Sequence, residues 1–224
     1  MNTGNKTARL LGTAFLIQAV ASLVGMLFLQ QPLIVPGNIV ETMNNISNNP
    51  VRMRASIVFI LITAMGIVML GALLFETLKK QNIKIARVAF GLYLLESAIL
   101  AASRIPAFSL LRISQESVMA GHPDHLQILG NIFYDSADFG DWLHMLVFSV
   151  GATLFYSLFF KSRFIPRGIS IWGLVAAPLA LAGTLIALIG YNVPIFVFLP
   201  NLPLELTMGV WLIVRGIRDG SETG

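Results

Sequence analysis

Between Arg54 and Glu76 the chain reads Ala55-Ser-Ile-Val-Phe-Ile-Leu-Ile-Thr-Ala-Met-Gly-Ile-Val-Met-Leu-Gly-Ala-Leu-Leu-Phe75, 21 consecutive positions without a charge. A helix needs about 20 mostly apolar residues to cross the hydrocarbon of a bilayer. This run, with its flanks, predicts one crossing at 54–78. Five more stretches qualify on the same ground, at roughly 8–30, 87–104, 141–160, 168–190 and 202–214. The sixth is short, and Pro194, Pro200 and Pro203 interrupt the residues before it, so it is expected to start with irregular backbone. Such backbone is tolerated at membrane depth only where protein or a water-filled cavity covers it.

The composition agrees. The 224 residues are 56% hydrophobic and 12% charged, against roughly 25% charged in a soluble domain. The fold class expected is therefore all-α: a polytopic bundle of six transmembrane helices forming one transmembrane domain over residues 1–224. The chain has no cysteine, which excludes disulfides, thiolate metal centres and cysteine nucleophiles together.

Orientation follows from Lys and Arg in the short loops. With both termini cytoplasmic, the inner side carries Lys6, Arg9, Lys79, Lys80, Lys84, Arg87, Lys161, Arg163, Arg167, Arg215 and Arg218. The outer side carries Arg52, Arg54, Arg104 and Arg112. Eleven against four, out of 15 basic residues in all, predicts a multi-pass protein of the cytoplasmic membrane with the lipid bilayer as its first partner. The net charge of +4 then reflects topology, and no nucleic-acid partner is expected, because no basic run carries interleaved aromatics. Ala19-Val-Ala21 resembles a signal-cleavage site, but the apolar run continues through Leu29, so an uncleaved first span is expected.

The inner loops are too short to hold a soluble catalytic domain. The outer ones are longer and predict short amphipathic helices that lie on the interface or cap the bundle. One follows an Asn38 cap, with Glu41 three places on and Met43 and Ile46 on one face. A second starts at Pro106 with an Arg112–Glu116 pair at i,i+4. A third starts at Asp124, where Gln127 completes a capping-box pattern and Leu126, Leu129, Ile132 and Phe133 form a stripe. In the fifth span, Ala176, Ala180, Gly183, Ala187 and Gly190 form a close-packing seam. An Arg followed by a nearby Gly opens each odd-numbered span, as Arg9/Gly12, Arg87/Gly91 and Arg167/Gly173. The tryptophans and tyrosines fall mostly near interfaces, where aromatic belts belong.

An ionisable group inside a membrane is costly, so each one needs a reason. Glu76, beside Lys79 and Lys80 at the inner edge, reads as a solvated ion pair. The rest fall in the outer half of the bilayer: Glu96 near the middle of the third span, Arg104 at its end, Asp138, Asp141 and His144 at steps of three along one side of the fourth, and Glu205 at the start of the sixth. Arg52 and Arg54 open the second. Three readings compete. The groups are structural ion pairs, Glu96 with Arg104 or Arg54 and Glu205 with another Arg. Or Glu96, Arg104, Asp141, His144 and Glu205 line an outward-facing site for a small ligand or ion, in a transporter-like or sensory protein. Or Asp138, Asp141, His144 and Glu205 hold zinc in an intramembrane hydrolase, with His122 and His125 nearby. The last lacks an H-E-x-x-H pair, and Pro123 separates the two loop histidines. Of the two functional readings the ligand site leads, with no cofactor, and zinc enters only under the hydrolase alternative. Oligomeric state is not legible.

Three strings carry a resemblance: Ala8-Arg9-Leu-Leu-Gly12, Leu158-Phe-Phe-Lys-Ser-Arg-Phe-Ile-Pro-Arg167, and Pro203-Leu-Glu205 leading to Gly209-Val-Trp211. Together they resemble a bacterial integral-membrane family known as a domain of unknown function. The resemblance covers most of the chain. It implies six spans and singles out Glu205 and the turn made by Lys161, Ser162, Pro166 and Arg167.

Overall fold

The computed structural model of the chain describes residues 3–217. Arg218, one of the eleven basic residues above, lies outside them. Helices account for nearly all of the described residues, and no strand occurs among them. The first span is α1 (Thr3–Ser22), which widens into a π-helical segment at Leu23–Gln30 and ends in a 3-10 turn at Gln31–Leu33. After α2 (Ile39–Asn48) come α3 (Pro50–Leu78), α4 (Ile83–Ala102), α5 (Arg104–Met119), α6 (Asp124–Ser162), α7 (Arg167–Leu188) and α8 (Asn201–Arg215). Among the described residues six segments are long and apolar enough to cross a membrane: Lys6–Leu33, Pro50–Leu78, Ile83–Met119, Asp124–Ser162, Arg167–Leu188 and Ile195–Arg215.

Local chemistry sets most of the boundaries. Asn38 accepts the Glu41 N–H (3.0 Å) and caps α2, as the sequence predicts. The Asn82 side chain accepts from Lys84 and Ile85 and caps α4. Arg163 terminates α6 in the left-handed region at φ 57°, Ser162 Oγ accepts the Phe164 N–H (3.3 Å), and α7 begins directly after Pro166. The Lys161–Arg167 turn is thus a helix-to-helix connector, with the Arg167 guanidinium over the Phe160 ring at 5.8 Å. Glu76 and Lys79 make the expected exposed pair (2.6 Å). At half exposure such a pair is worth a fraction of a kcal/mol, about 0.5 at most.

One loop helix and one expected ion pair are corrected. The segment starting at Asp124 is no separate interfacial helix; it forms the first turns of α6, whose 39 residues run roughly 60 Å. Pro123 takes the N-cap position instead of Asp124, and Gln127 reaches back to the His122 carbonyl (2.7 Å). The Pro106 segment is α5 itself, which begins two residues earlier at Arg104 and packs on α6 and α2. Arg112 and Glu116 both stay exposed and make no ion pair, because α5 buries its Ala107, Leu110 and Leu111 face and turns theirs to solvent. With Leu33, Met43, Ile46, Met53 and Ala137 that face forms a second core capping the end of the bundle away from the chain termini.

In the main bundle α1 packs on α3 and α8, α3 on α4, α4 on α6 and α6 on α7, with lighter contact between α7 and α8. The helices therefore close a ring, and its thinnest wall is the α7–α8 seam. The residues before α8 cover that seam: they form a 3-10 turn at Ile195–Val197 and fold back against Gly183, where an added Cβ would lie 2.7 Å from Val197. The irregular start of the last span is as expected. The α7 seam is buried at Gly173, Ala176, Ala180 and Gly183, but Gly190 lies beyond it, in a turn at φ 94°.

The Arg/Gly openings do not play one part. Gly12 sits at a backbone crossing: a methyl there would lie 2.6 Å from the Gly209 carbonyl oxygen. Gly173 presses on the Tyr156 ring, whereas Gly91 faces open space. The family strings around Gly12 and Gly209 therefore record one close α1–α8 contact.

Candidate functional site

The ring encloses a cavity of about 500 Å³, within the 300–1,000 Å³ range of small-molecule pockets. Every spanning helix but α7 contributes to its lining. From α4 comes Glu96, 3% exposed, whose Oε2 has no hydrogen-bond partner. Ser97 beside it donates to the Ala64 carbonyl (2.7 Å), pinning α4 to α3 at this level. One turn earlier Tyr93 stands edge-on to Phe155, with ring centroids 5.0 Å apart.

Glu205 enters from α8 and Gln18 from α1, and Gln18 Nε2 donates to Glu205 Oε2 at 2.8 Å. From α6 come Asp138, Asp141 and His144, on one face as their spacing predicts. Asp138 accepts from Trp142 Nε1 (3.0 Å), and His144 Nδ1 is buried without a partner. Asp141 is ion-paired with Arg104, and Ser103 Oγ also donates to it (3.3 Å).

Arg104 is 3% exposed yet stands behind the wall. Its Nη2 also donates to Ser103 Oγ (2.9 Å) and its Nη1 to Gln30 Oε1 (3.3 Å). Two local devices permit this. The chain bends between α4 and α5 at Ser103, and Gly140 lets α6 come against Ser103, since a Cβ there would overlap the Ser103 Cβ. The π-helical segment, whose wider turns often mark functional places, carries Gln30 round to Arg104. Its last carbonyls, of Phe28 and Leu29, accept from Arg52 at 2.6 and 3.1 Å.

Of the residues singled out in the sequence, Glu96, Asp138, Asp141, His144 and Glu205 meet around one cavity, and Arg104 supports it from outside. The ion pairs expected for Glu96 and Glu205 do not form: among the described residues the buried pair is Arg104–Asp141. Arg54 is exposed. His122 and His125 are not in the lining; His125 lies roughly 20 Å along α6 from Asp138 at 1.5 Å per residue. No three His, Asp or Glu side chains among the described residues come together as a metal set.

Sequence reasoning missed Gln18 and Gln30, and it placed Tyr134 and Trp142 in the aromatic belt although both line the cavity. A lone glutamine in the apolar run 10–29 was the available signal, since an uncompensated amide in hydrocarbon is costly.

Fold and cavity together define an integral membrane protein of six helical spans with a chamber inside the bundle whose mainly apolar lining carries a few ionisable groups. The chain belongs to the DUF4386 family, a domain of unknown function, whose sequence model matches residues 10–216. Comparison with curated proteins and with solved structures gives no match.

Proposed function

We propose that this is a cytoplasmic-membrane protein that binds a small molecule or ion in the intramembrane cavity, in a transporter-like or sensory role. The observation that carries the reading is Glu96: a side chain in the cavity lining with a buried carboxyl oxygen that has no hydrogen-bond partner. Burying an ionised or polar group without a partner costs several kcal/mol, on the order of 2–7 for a neutral amide or hydroxyl and more for a charge. A side chain of purely structural purpose would have a partner, as Asp141 has. Glu205, Gln18 and the irregular backbone before α8 support the same reading, because transporter sites combine carboxylates with broken helices at membrane depth.

The natural absence of cysteine makes the test direct. Ser22 lines the cavity, whereas Val58 is 53% exposed on the lipid-facing side of α3. In bilayer-embedded protein, Ser22→Cys is expected to react with the neutral hydroxyethyl methanethiosulfonate at least about tenfold faster than Val58→Cys, a gap of roughly 1.4 kcal/mol in access. Equal, near-zero rates at both positions would mean a chamber closed to small molecules and would defeat the proposal.

A further inference from the structure

The charge census of the chamber is one-sided. Its lining holds Glu96, Asp138, Asp141 and Glu205 and no Lys or Arg. The nearby guanidinium, Arg104, is outside the lining and is spent on Asp141, Ser103 and Gln30. With that pair neutral, three carboxyl groups remain against the single imidazole of His144, so acids outnumber bases among the ionisable groups of the lining. Low-dielectric walls concentrate the field of such a set inside the cavity. Glu96, 3% exposed, is part of this lining and has a buried oxygen with no hydrogen-bond partner.

Besides neutral polar groups such as Gln18, Gln30 and Asn201, the remaining lining is aromatic and apolar. Tyr93, Tyr134, Trp142, Phe148 and Phe198 all contribute, and Trp142 and Phe198 pack ring to ring at 5.6 Å. Aromatic faces attract a positive centre and accept an apolar body equally well. A bare divalent ion fits poorly: it needs several oxygen ligands at one point, and no three acidic or histidine side chains among the described residues gather that way. The volume, about 500 Å³, instead suits a molecule.

Resting on the reading that the chamber binds a small molecule, we infer that its occupant is an organic monocation with an apolar body, its positive centre held by Glu96 together with Glu205. The competing occupant of Glu96 is its own proton, which would leave that carboxyl neutral and the chamber less selective.

The experiment uses the full chain in nanodiscs of neutral phosphatidylcholine, carrying Ser22→Cys. The probes are 2-(trimethylammonium)ethyl methanethiosulfonate, itself an organic monocation, and the anionic 2-sulfonatoethyl methanethiosulfonate. Each rate is divided by that reagent's rate with free 2-mercaptoethanol. The normalised cation rate is expected to exceed the anion rate by about tenfold or more. That ratio is expected to fall at least threefold when Glu96→Gln or Glu205→Gln is added, and benzyltrimethylammonium should slow the labelling.

Equal rates, or a faster anion, overturn the cation assignment and leave the small-molecule chamber standing. A cation preference that persists in both glutamine variants also overturns it, since the field would arise elsewhere. No reaction with either reagent overturns the chamber itself. If Glu96→Gln is not monodisperse on gel filtration, Glu205→Gln carries the comparison, and the ratio in the parent protein still decides.

Discussion

Asp141→Ala is expected to destabilise the protein by about 3–5 kcal/mol, the usual cost of breaking a buried pair and leaving its other charge uncompensated. Arg104 is 3% exposed, and its remaining partners, Ser103 and Gln30, are neutral. They satisfy donors but not charge. The pair also ties the bend between α4 and α5 to α6, so its loss loosens the wall of the chamber as well as the cap above it. Arg104→Met with Asp141→Leu is expected to recover most of the loss, because replacing both partners by apolar groups removes two desolvation penalties along with one attraction. Reversible unfolding in mixed detergent micelles measures both. An Asp141→Ala protein within about 1 kcal/mol of the parent would mean that the pair is solvated and worth no more than a surface bridge.

The second large effect is expected at the α1–α8 crossing. In hydrocarbon no hydrophobic force presses helices together, so association depends on close packing. A methyl at Gly12 would meet the Gly209 carbonyl oxygen at 2.6 Å and the Ile213 N at 3.0 Å. Both are backbone atoms of α8 and cannot rotate away, so the helices must separate. Helix propensity favours Ala over Gly by about 1 kcal/mol, but overpacking against a rigid neighbour costs roughly 1–3 kcal/mol, more for anything larger than a methyl. Gly12→Ala is expected to lose stability and Gly12→Leu to abolish folding. Gly209→Ala should be milder, because its nearest neighbours are the Leu16 branch atoms at 2.6 Å. Gly91→Ala, in open space, should gain up to about 1 kcal/mol, following propensity alone. Thermal denaturation of the four variants gives the order. Gly12→Ala at or above the parent would show that the helices meet less closely. The Gln18–Glu205 hydrogen bond spans the same interface, so Gly12 variants that still fold should also disturb the chamber.

The spans were legible because the bilayer imposes a length and forbids charge, and the run between Arg54 and Glu76 satisfies both without ambiguity. The start of α6 was not. Leu126, Leu129, Ile132 and Phe133 repeat at helical spacing, and that period is the same for a helix lying on an interface and for one running on into a span. Continuity was decided by what lies between: from Tyr134 to Asp141 there is no proline, and the single glycine, Gly140, serves the close approach to Ser103. The gathering of Glu96, Asp141, His144 and Glu205 was legible from cost, since intramembrane ionisable groups usually face the bundle interior. Their partners were not. Depth along a span is written in the sequence, but rotation about the helix axis is set by packing, so Arg104, at the end of the span that carries Glu96, paired with Asp141 instead. Gln18 carries no charge and raised no alarm, although it is the residue that holds Glu205.

The account turns on whether Glu96 serves the fold or an occupant. The most direct measurement is the unfolding free energy of Glu96→Gln and Glu96→Leu beside the parent chain in the same detergent, with no added ligand. Functional sites often carry groups that strain the fold, and Glu96 has an oxygen with no partner to lose. Both variants are therefore predicted to be as stable as the parent, within about 0.5 kcal/mol, or more stable. A loss of about 3 kcal/mol or more, the size expected for one half of a buried ion pair, would make Glu96 a structural residue and contradict the account.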